Sequence, residues 1–320
     1  MKFSRRRFLK GSAGAAAAGM AGASGSGRAG DDTPLARRPL GETGEKLSIV
    51  GLGGLVVAGV TQKHANNVVA KAYDNGVNYY DVAPTYGNAE QRLGPALKPY
   101  RDKAFLACKT QKRDAKGARE ELENSLRHLK TDHVDLYQLH AIRDVEKDVK
   151  KAFAPGGAME TFLKAREEGK VRYLGFSAHS AEAALTALKE FRFDTILYPV
   201  NYTCHFQGQF DQRVVKAARE RGAAVLCLKG LCRQRRKRGQ ERVYDKCWYE
   251  PITDEKESDM AFRWTLSQPV TAAVPPAAEP LFWRGLEIGQ QFTPVTEEET
   301  DRLRKMTKGL RPLFTFDGEL

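Results

Sequence analysis

The sequence predicts an α/β chain closed into a (β/α)8 TIM barrel, with a hairpin ahead of the barrel and an extra helix behind it. Three observations carry that prediction. Apolar runs of strand length recur eight times, most of them starting about 25 to 35 residues apart, the length of one βα unit. The gaps between them carry apolar residues at three- and four-residue steps, the period of a helix with one buried face. Glycines fall where those helical patterns stop.

In chain order, a short hairpin comes first, from Arg38 to Leu47, with Gly41 and Gly44 where the chain must turn. The eight runs are residues 47–52, 77–82, 104–109, 134–139, 171–176, 195–200, 223–228 and 270–274. Helices are expected over 65–75, closed by Gly76, and over 118–130, where Leu122, Leu126 and Leu129 share a face. Two more are expected over 158–168, closed by Gly169, and over 181–191, with Leu185 and Leu188. Gly51-Leu52-Gly53-Gly54 lacks the G-x-G-x-x-G spacing of a dinucleotide turn and reads as a tight turn at the barrel mouth. An open, doubly wound sheet is the alternative architecture. Behind the eighth run, Thr296 and the three glutamates after it resemble an incomplete capping box and predict a helix over 297–308.

The first thirty residues read as an address. Ser4-Arg5-Arg6-Arg7-Phe8-Leu9-Lys10 matches the S-R-R-x-F-L-K signal of the bacterial twin-arginine (Tat) export pathway, and an Ala/Gly-rich stretch follows, too weakly apolar to span a bilayer. The expectation is a signal peptide and linker over residues 1–30, cut between Ala23 and Gly30, and a single barrel domain over 31–320. It implies the Tat machinery as a partner, a periplasmic or other extracytoplasmic location, and no stable membrane span.

Composition bounds the rest. Of 320 residues, 41% are hydrophobic and 29% charged, with a net charge of +12. Lys2, Arg5, Arg6, Arg7, Lys10 and Arg28 sit in the signal without any acid, so half of that charge belongs to the address. The remainder is spread among acids, without the interleaved aromatics of single-strand binders, so nucleic acid is not an expected partner. Cys108, Cys204, Cys227, Cys232 and Cys247 form no C-x-x-C pair, so no metal site is expected. A disulfide among Cys204, Cys232 and Cys247 stays open.

Barrels of this kind carry their chemistry at the carboxyl ends of the strands and in the loops beyond. The second run ends in Asp81, with Tyr86 in the following loop; the third ends in Lys109; the fourth ends in His140. An ammonium beside a tyrosine favours the phenolate and lowers a pKa that starts near ~10. An aspartate can keep that lysine charged, and a histidine can orient a substrate oxygen or relay a proton. Singly, each residue reads as a snorkelling lysine, a turn aspartate or a core histidine. Together at one rim they make an acid aimed at one oxygen.

Asp81-Val82-Ala83-Pro84-Thr85-Tyr86-Gly87-Asn88-Ala89-Glu90, followed by Leu93-Gly94, resembles the aldo-keto reductase segment D-x-A-x-x-Y-G-x-x-E-x-x-x-G. Lys109 after Cys108, His140 after Gln138-Leu139, the Leu40-Gly41 hairpin and Gly175-Phe176-Ser177 also resemble that family, over about residues 38 to 273. The resemblance implies a carbonyl reductase acting on a small-molecule carbonyl substrate. Tyr86 would be the general acid, Lys109 its modulator, Asp81 the partner of Lys109, and His140 the orienting group. Hydride would come from NADP(H) bound across the mouth. Ser177, Asn201, Lys229 and Glu279 are the expected cofactor-binding residues.

The departures all concern cofactor contacts. Ala178 stands where the family's asparagine is expected, Leu197 where a glutamine is expected, and Leu228 where the stacking tyrosine is expected. The segment Pro275–Pro276-Ala277-Ala278-Glu279 holds no base for a 2′-phosphate, and Glu279 could accept from a free ribose 2′-hydroxyl, which brings in NAD(H) as the alternative. The basic run from Arg233 to Arg238 reads as a solvated loop face or as a clamp on the cofactor pyrophosphate. The competing function is a nicotinamide-binding sensor or subunit without efficient turnover.

Overall fold

The computed structural model describes residues 35–316. The export signal expected over 1–30 therefore lies outside the described residues. The chain opens with the antiparallel hairpin β1 (Arg37–Pro39) and β2 (Lys46–Ser48). Seven parallel strands follow: β3 (Leu52–Gly53), β4 (Tyr79–Asp81), β5 (Phe105–Thr110), β6 (Val134–Ile142), β7 (Val171–Ala178), β8 (Thr195–Pro199) and β9 (Ala224–Leu228). A small antiparallel pair, β10 (Cys232–Gln234) and β11 (Glu250–Pro251), interrupts the series before β12 (Ala272–Val274).

The parallel sheet runs β12-β9-β8-β7-β6-β5-β4-β3. Its two edges meet: Gly51 N–H donates to the Ala273 carbonyl at 3.0 Å, and Ala273 N–H donates to Ile49 at 2.9 Å. The open-sheet alternative is thereby excluded.

Helices cover the outside, and four of the longer ones are started by a side chain that satisfies a free N–H. Thr61 caps Gln62–Asp74, Asp114 caps Ala115–Leu129, Ser180 caps Ala181–Glu190 and Asp254 caps Glu255–Ser267. The helix Gln62–Asp74 stops where Gly76 takes φ +89°, a left-handed turn that any side chain would strain. Ala158–Glu167 also falls where the periodicity puts it.

Two hydrophobic layers result. One lies between sheet and helices. The other fills the barrel itself with Tyr79, Phe105, Ala107, Leu136, Leu197, Ala224, Leu226 and Ala272. Leu40 and Leu47 of the hairpin belong to that inner layer and close the barrel at the amino ends of its strands. Each such buried aliphatic side chain contributes about 1.5–3 kcal/mol.

Three expectations need correction. The first run does not form one strand over 47–52. Leu47 pairs within the hairpin, and the Ser48 N–H, held by Asn78 Oδ1 at 2.7 Å, turns the chain, so only Leu52–Gly53 joins β4. Gly53 is thus a strand residue rather than part of a turn, and Gly54 opens a single 3-10 turn, Gly54–Val57. The capping box at Thr296 is complete: its hydroxyl accepts from Glu299 N–H, and Glu299 accepts from Thr296 N–H. The helix it starts is Glu297–Met306.

Candidate active site

Strand alternation and parallel register bring the candidate residues to one rim. Asp81 lies beside Ala107 in the β4–β5 ladder, and Lys109 beside Gln138 in the β5–β6 ladder. Side chains two residues apart on a strand share a face, so Asp81 stands above Tyr79, Lys109 above Ala107, and His140 above Gln138. The inner layer of apolar side chains is the floor on which these polar groups stand.

Lys109 and Asp81 form an ion pair with almost no solvent exposure, 1% and 5% for the two side chains. The Lys109 ammonium donates to Asp81 Oδ1 and, at 3.1 Å, to the Val82 carbonyl. Tyr79 OH and Gln138 Nε2 each donate to Asp81 Oδ2 at 3.2 Å. The carboxylate is held by three donors from three strands, and its orientation fixes the ammonium. Lys109 Nζ in turn lies 5.4 Å from the centre of the Tyr86 ring, and the Tyr86 ring meets His140 edge-on at 5.7 Å.

Electrostatics follow from this packing. Burial alone would lower the Lys109 pKa, but Asp81 and Tyr86 outweigh it and hold the ammonium above its usual range. For Tyr86 the order reverses. Burial pushes its pKa up, Lys109 pulls it down, and Asp81 adds a further upward push. The net shift is upward, so the lowering expected from Lys109 is present but outweighed by desolvation; the phenol holds its proton at neutral pH. His140 falls to about 2, through burial first and then the positive charge of Lys109 and its neighbours. It is a neutral imidazole, and its Nδ1 is buried without a protein hydrogen-bond partner.

These groups open into a cavity of about 260 Å3, lined by Asp81, Tyr86, Lys109, His140, Ser177 and Lys229 among others. Ser177 Oγ accepts from the Ala141 N–H at 2.7 Å, which fixes the irregular end of β6 where Ala141 takes φ +54°. Lys229 lies in the left-handed region, φ +69°. Two expected cofactor residues are not part of the lining. Asn201 is fully buried and caps a short helix through Cys204 N–H at 2.9 Å, leaving its Nδ2 without a partner. Glu279 accepts from His64 Nε2 at 2.7 Å and from Trp283 Nε1 at 3.0 Å.

Leu197 and Leu228 present hydrocarbon to the cavity. The basic run is tied down elsewhere: Arg233 pairs with Glu250 and Glu257, and Arg235 donates to the Leu313 carbonyl at 3.0 Å. It does not line the cavity, and the solvated-loop reading describes it better. All five cysteines are buried free thiols.

Trp248 and Tyr249, aromatic residues whose type suits a pocket wall, also line the cavity, and with them His179 and Lys246, which sequence reasoning did not single out. Gln138, which fixes Asp81, was findable, since it stands two residues before His140 on one strand face. Lys246 lies far along an irregular loop with no periodic signal. The lining carries groups that fit the chemistry of a nicotinamide cofactor. A proton-holding tyrosine and a neutral imidazole face the cavity, and the Lys229 ammonium has no carboxylate partner among the described residues.

Comparison with known proteins gives the class. Residues 49–282 match the model of the aldo/keto reductase family, so the chain belongs to that family. Residues 2–22 match the twin-arginine translocation signal sequence. The chain is 32% identical over 216 residues to the aldo-keto reductase YhdN of Bacillus subtilis, covering 61% of each chain. It is 28% identical over 189 residues to an L-galactose dehydrogenase of Arabidopsis thaliana, covering 54% of this chain and 58% of that one. In both cases the match spans about three fifths of the relative's length. In fold it is similar to the holo form of an aldo-keto reductase of Bacillus halodurans, with a TM-score of 0.68 at 22% identity, covering 87% of this chain and 98% of that one.

Proposed function

We propose that the protein is an exported NAD(P)H-dependent oxidoreductase that reduces an aldehyde or ketone to an alcohol, or runs the reverse reaction. The observation that supports this most is the buried Lys109–Asp81 pair beside Tyr86, with a neutral His140 across the same cavity. A bound nicotinamide dinucleotide supplies or accepts the hydride. Everything else falls to the chain's own residues. Tyr86 holds a proton through burial and delivers it to the substrate oxygen as negative charge develops there. The Lys109 ammonium then favours the phenolate that remains, and Asp81 keeps that ammonium charged and oriented. His140, neutral and with one ring nitrogen free of protein partners, accepts or donates one hydrogen bond and so orients the oxygen without adding charge.

Ser177 and Lys229 would hold the cofactor from the cavity wall, with Asn201 and Glu279 supporting it from outside the lining. NADP(H) is the family's cofactor, and Glu279 is the reason to test NAD(H) beside it. The signal supports passage through the Tat machinery to an extracytoplasmic location, and in this reading cleavage between Ala23 and Gly30 releases the barrel domain. One observation favours a second reading. Leu197 and Leu228 replace polar and aromatic contacts to the nicotinamide, which suits a barrel that binds cofactor as a sensor without efficient turnover.

The test is oxidation of NADPH and of NADH by the signal-free protein with a panel of aldehydes and ketones, beside Tyr86→Phe. Loss of about 10²–10⁴ in kcat with cofactor affinity retained supports the reductase. Tight cofactor binding without turnover that depends on Tyr86 supports the sensor.

A further inference from the structure

The charges lining the cavity do not balance. Asp81 is its one carboxylate, and Lys109 already neutralises it. His140 and His179 are neutral, since burial and nearby cations hold them at about 2 and about 3. That leaves Lys229 and Lys246, both on the wall.

Lys229 is half-buried and has no carboxylate partner among the described residues. Its ammonium rests instead on the faces of Tyr249 and Trp248, 4.7 and 5.2 Å from the ring centres. Its backbone is held at φ +69°, a conformation that residues with a side chain rarely adopt and that clusters at ligand sites. Lys246 donates to the Val56 and Ala58 carbonyls, both at 2.8 Å, which pins the ammonium over the mouth and leaves one of its three donors free. Burial disfavours the charge on both lysines, Glu279 offsets part of that at Lys246, and an anion in the cavity would favour the charged form of both. The loop after β12, where a phosphate-binding base would otherwise be sought, offers Pro275, Pro276 and Ala277 to the cavity and no cation.

We propose that Lys229 and Lys246 form an oxyanion-binding subsite at the mouth of the cavity, taking a phosphate or carboxylate group of the molecule bound there. The proposal rests on the reading of this cavity as the ligand site, not on Tyr86 being its acid. Two sources share that chemistry: the pyrophosphate of a dinucleotide, and an anionic group on the carbonyl substrate. Trp248, stacked over Lys229 and 45% exposed, provides an optical report of the subsite.

The experiment measures binding of inorganic pyrophosphate and of NADPH to the signal-free protein at low salt, by calorimetry and by tryptophan fluorescence. Wild type is compared with Lys229→Met, Lys229→Arg and Lys246→Met, all verified as folded by near-UV circular dichroism. KM for glyoxylate is compared with KM for acetaldehyde as the substrate arm. A tenfold or greater loss of pyrophosphate and NADPH affinity in Lys229→Met, restored in Lys229→Arg and steepened by removing salt, supports a subsite filled by the cofactor. Unchanged NADPH affinity with a tenfold rise in KM for glyoxylate alone supports a subsite filled by the substrate. Lys229→Met and Lys246→Met that leave all three ligands unaffected overturn the proposal and make Lys229 a packing residue beneath its two rings. Binding in Tyr86→Phe separates the outcomes: the subsite survives there even if the proton-donor role fails.

Discussion

Replacing Lys109 by methionine keeps most of the hydrocarbon stem and removes only the ammonium, so it isolates the buried charge. The Asp81 carboxylate would remain 5% exposed, with Tyr79 and Gln138 at 3.2 Å as its donors. Removing one member of a buried pair costs about 3–5 kcal/mol, because the survivor is a desolvated charge without compensation. Lys109→Met should therefore be deficient by about 3–5 kcal/mol at pH 8. The double variant Lys109→Met/Asp81→Leu removes both charges and should recover most of the loss at pH 8. Urea unfolding at that pH reads all three proteins. A Lys109→Met deficit below about 1 kcal/mol at pH 8, or one the double variant does not relieve, would refute the buried pair as the organiser of this rim.

His140 and His179 should stay neutral well below the ordinary histidine range. Their NMR ring signals should be flat from pH 8 to pH 5, and a midpoint near ~6.5 for either would contradict the desolvation that lowers them. Both depressed values also mean that stability falls as pH drops below ~6.5, where the unfolded chain takes up protons the folded chain refuses. Gly94→Ala should cost at least about 1–3 kcal/mol, since a Cβ there would stand 2.4 Å from the Leu129 carbonyl oxygen; an unchanged melting temperature would contradict that close approach. Thr296→Ala should cost about 1 kcal/mol by removing one half of the capping box, read as a lower urea midpoint with an unchanged slope.

The barrel was legible because its signals are local and repeated. A strand buried on both faces is an apolar run, and a helix lying on it has a period, so β5 to β9 fall almost where the runs put them. The first strand differs from its run because residues 47–52 carry one polar side chain, Ser48, and read as continuous, while the bend within them depends on Asn78, some thirty residues away. The rim residues were legible for the same reason as the strands: Asp81, Lys109 and His140 each interrupt or end an apolar run with a group that burial penalises. The resting state of Tyr86 was not, because its proton affinity is a contest between burial and charge that only three-dimensional packing decides. Gly94 shows how a motif position becomes physical. It permits the helix Ala89–Leu97 to touch the end of Ala115–Leu129, which fixes the segment carrying Tyr86 against its neighbour.

The hairpin has a consequence for traffic. With Leu40 and Leu47 buried at the amino end and the interior filled by side chains, the barrel offers no passage along its axis. What enters the cavity from the rim leaves by the rim, past the same side chains in both directions.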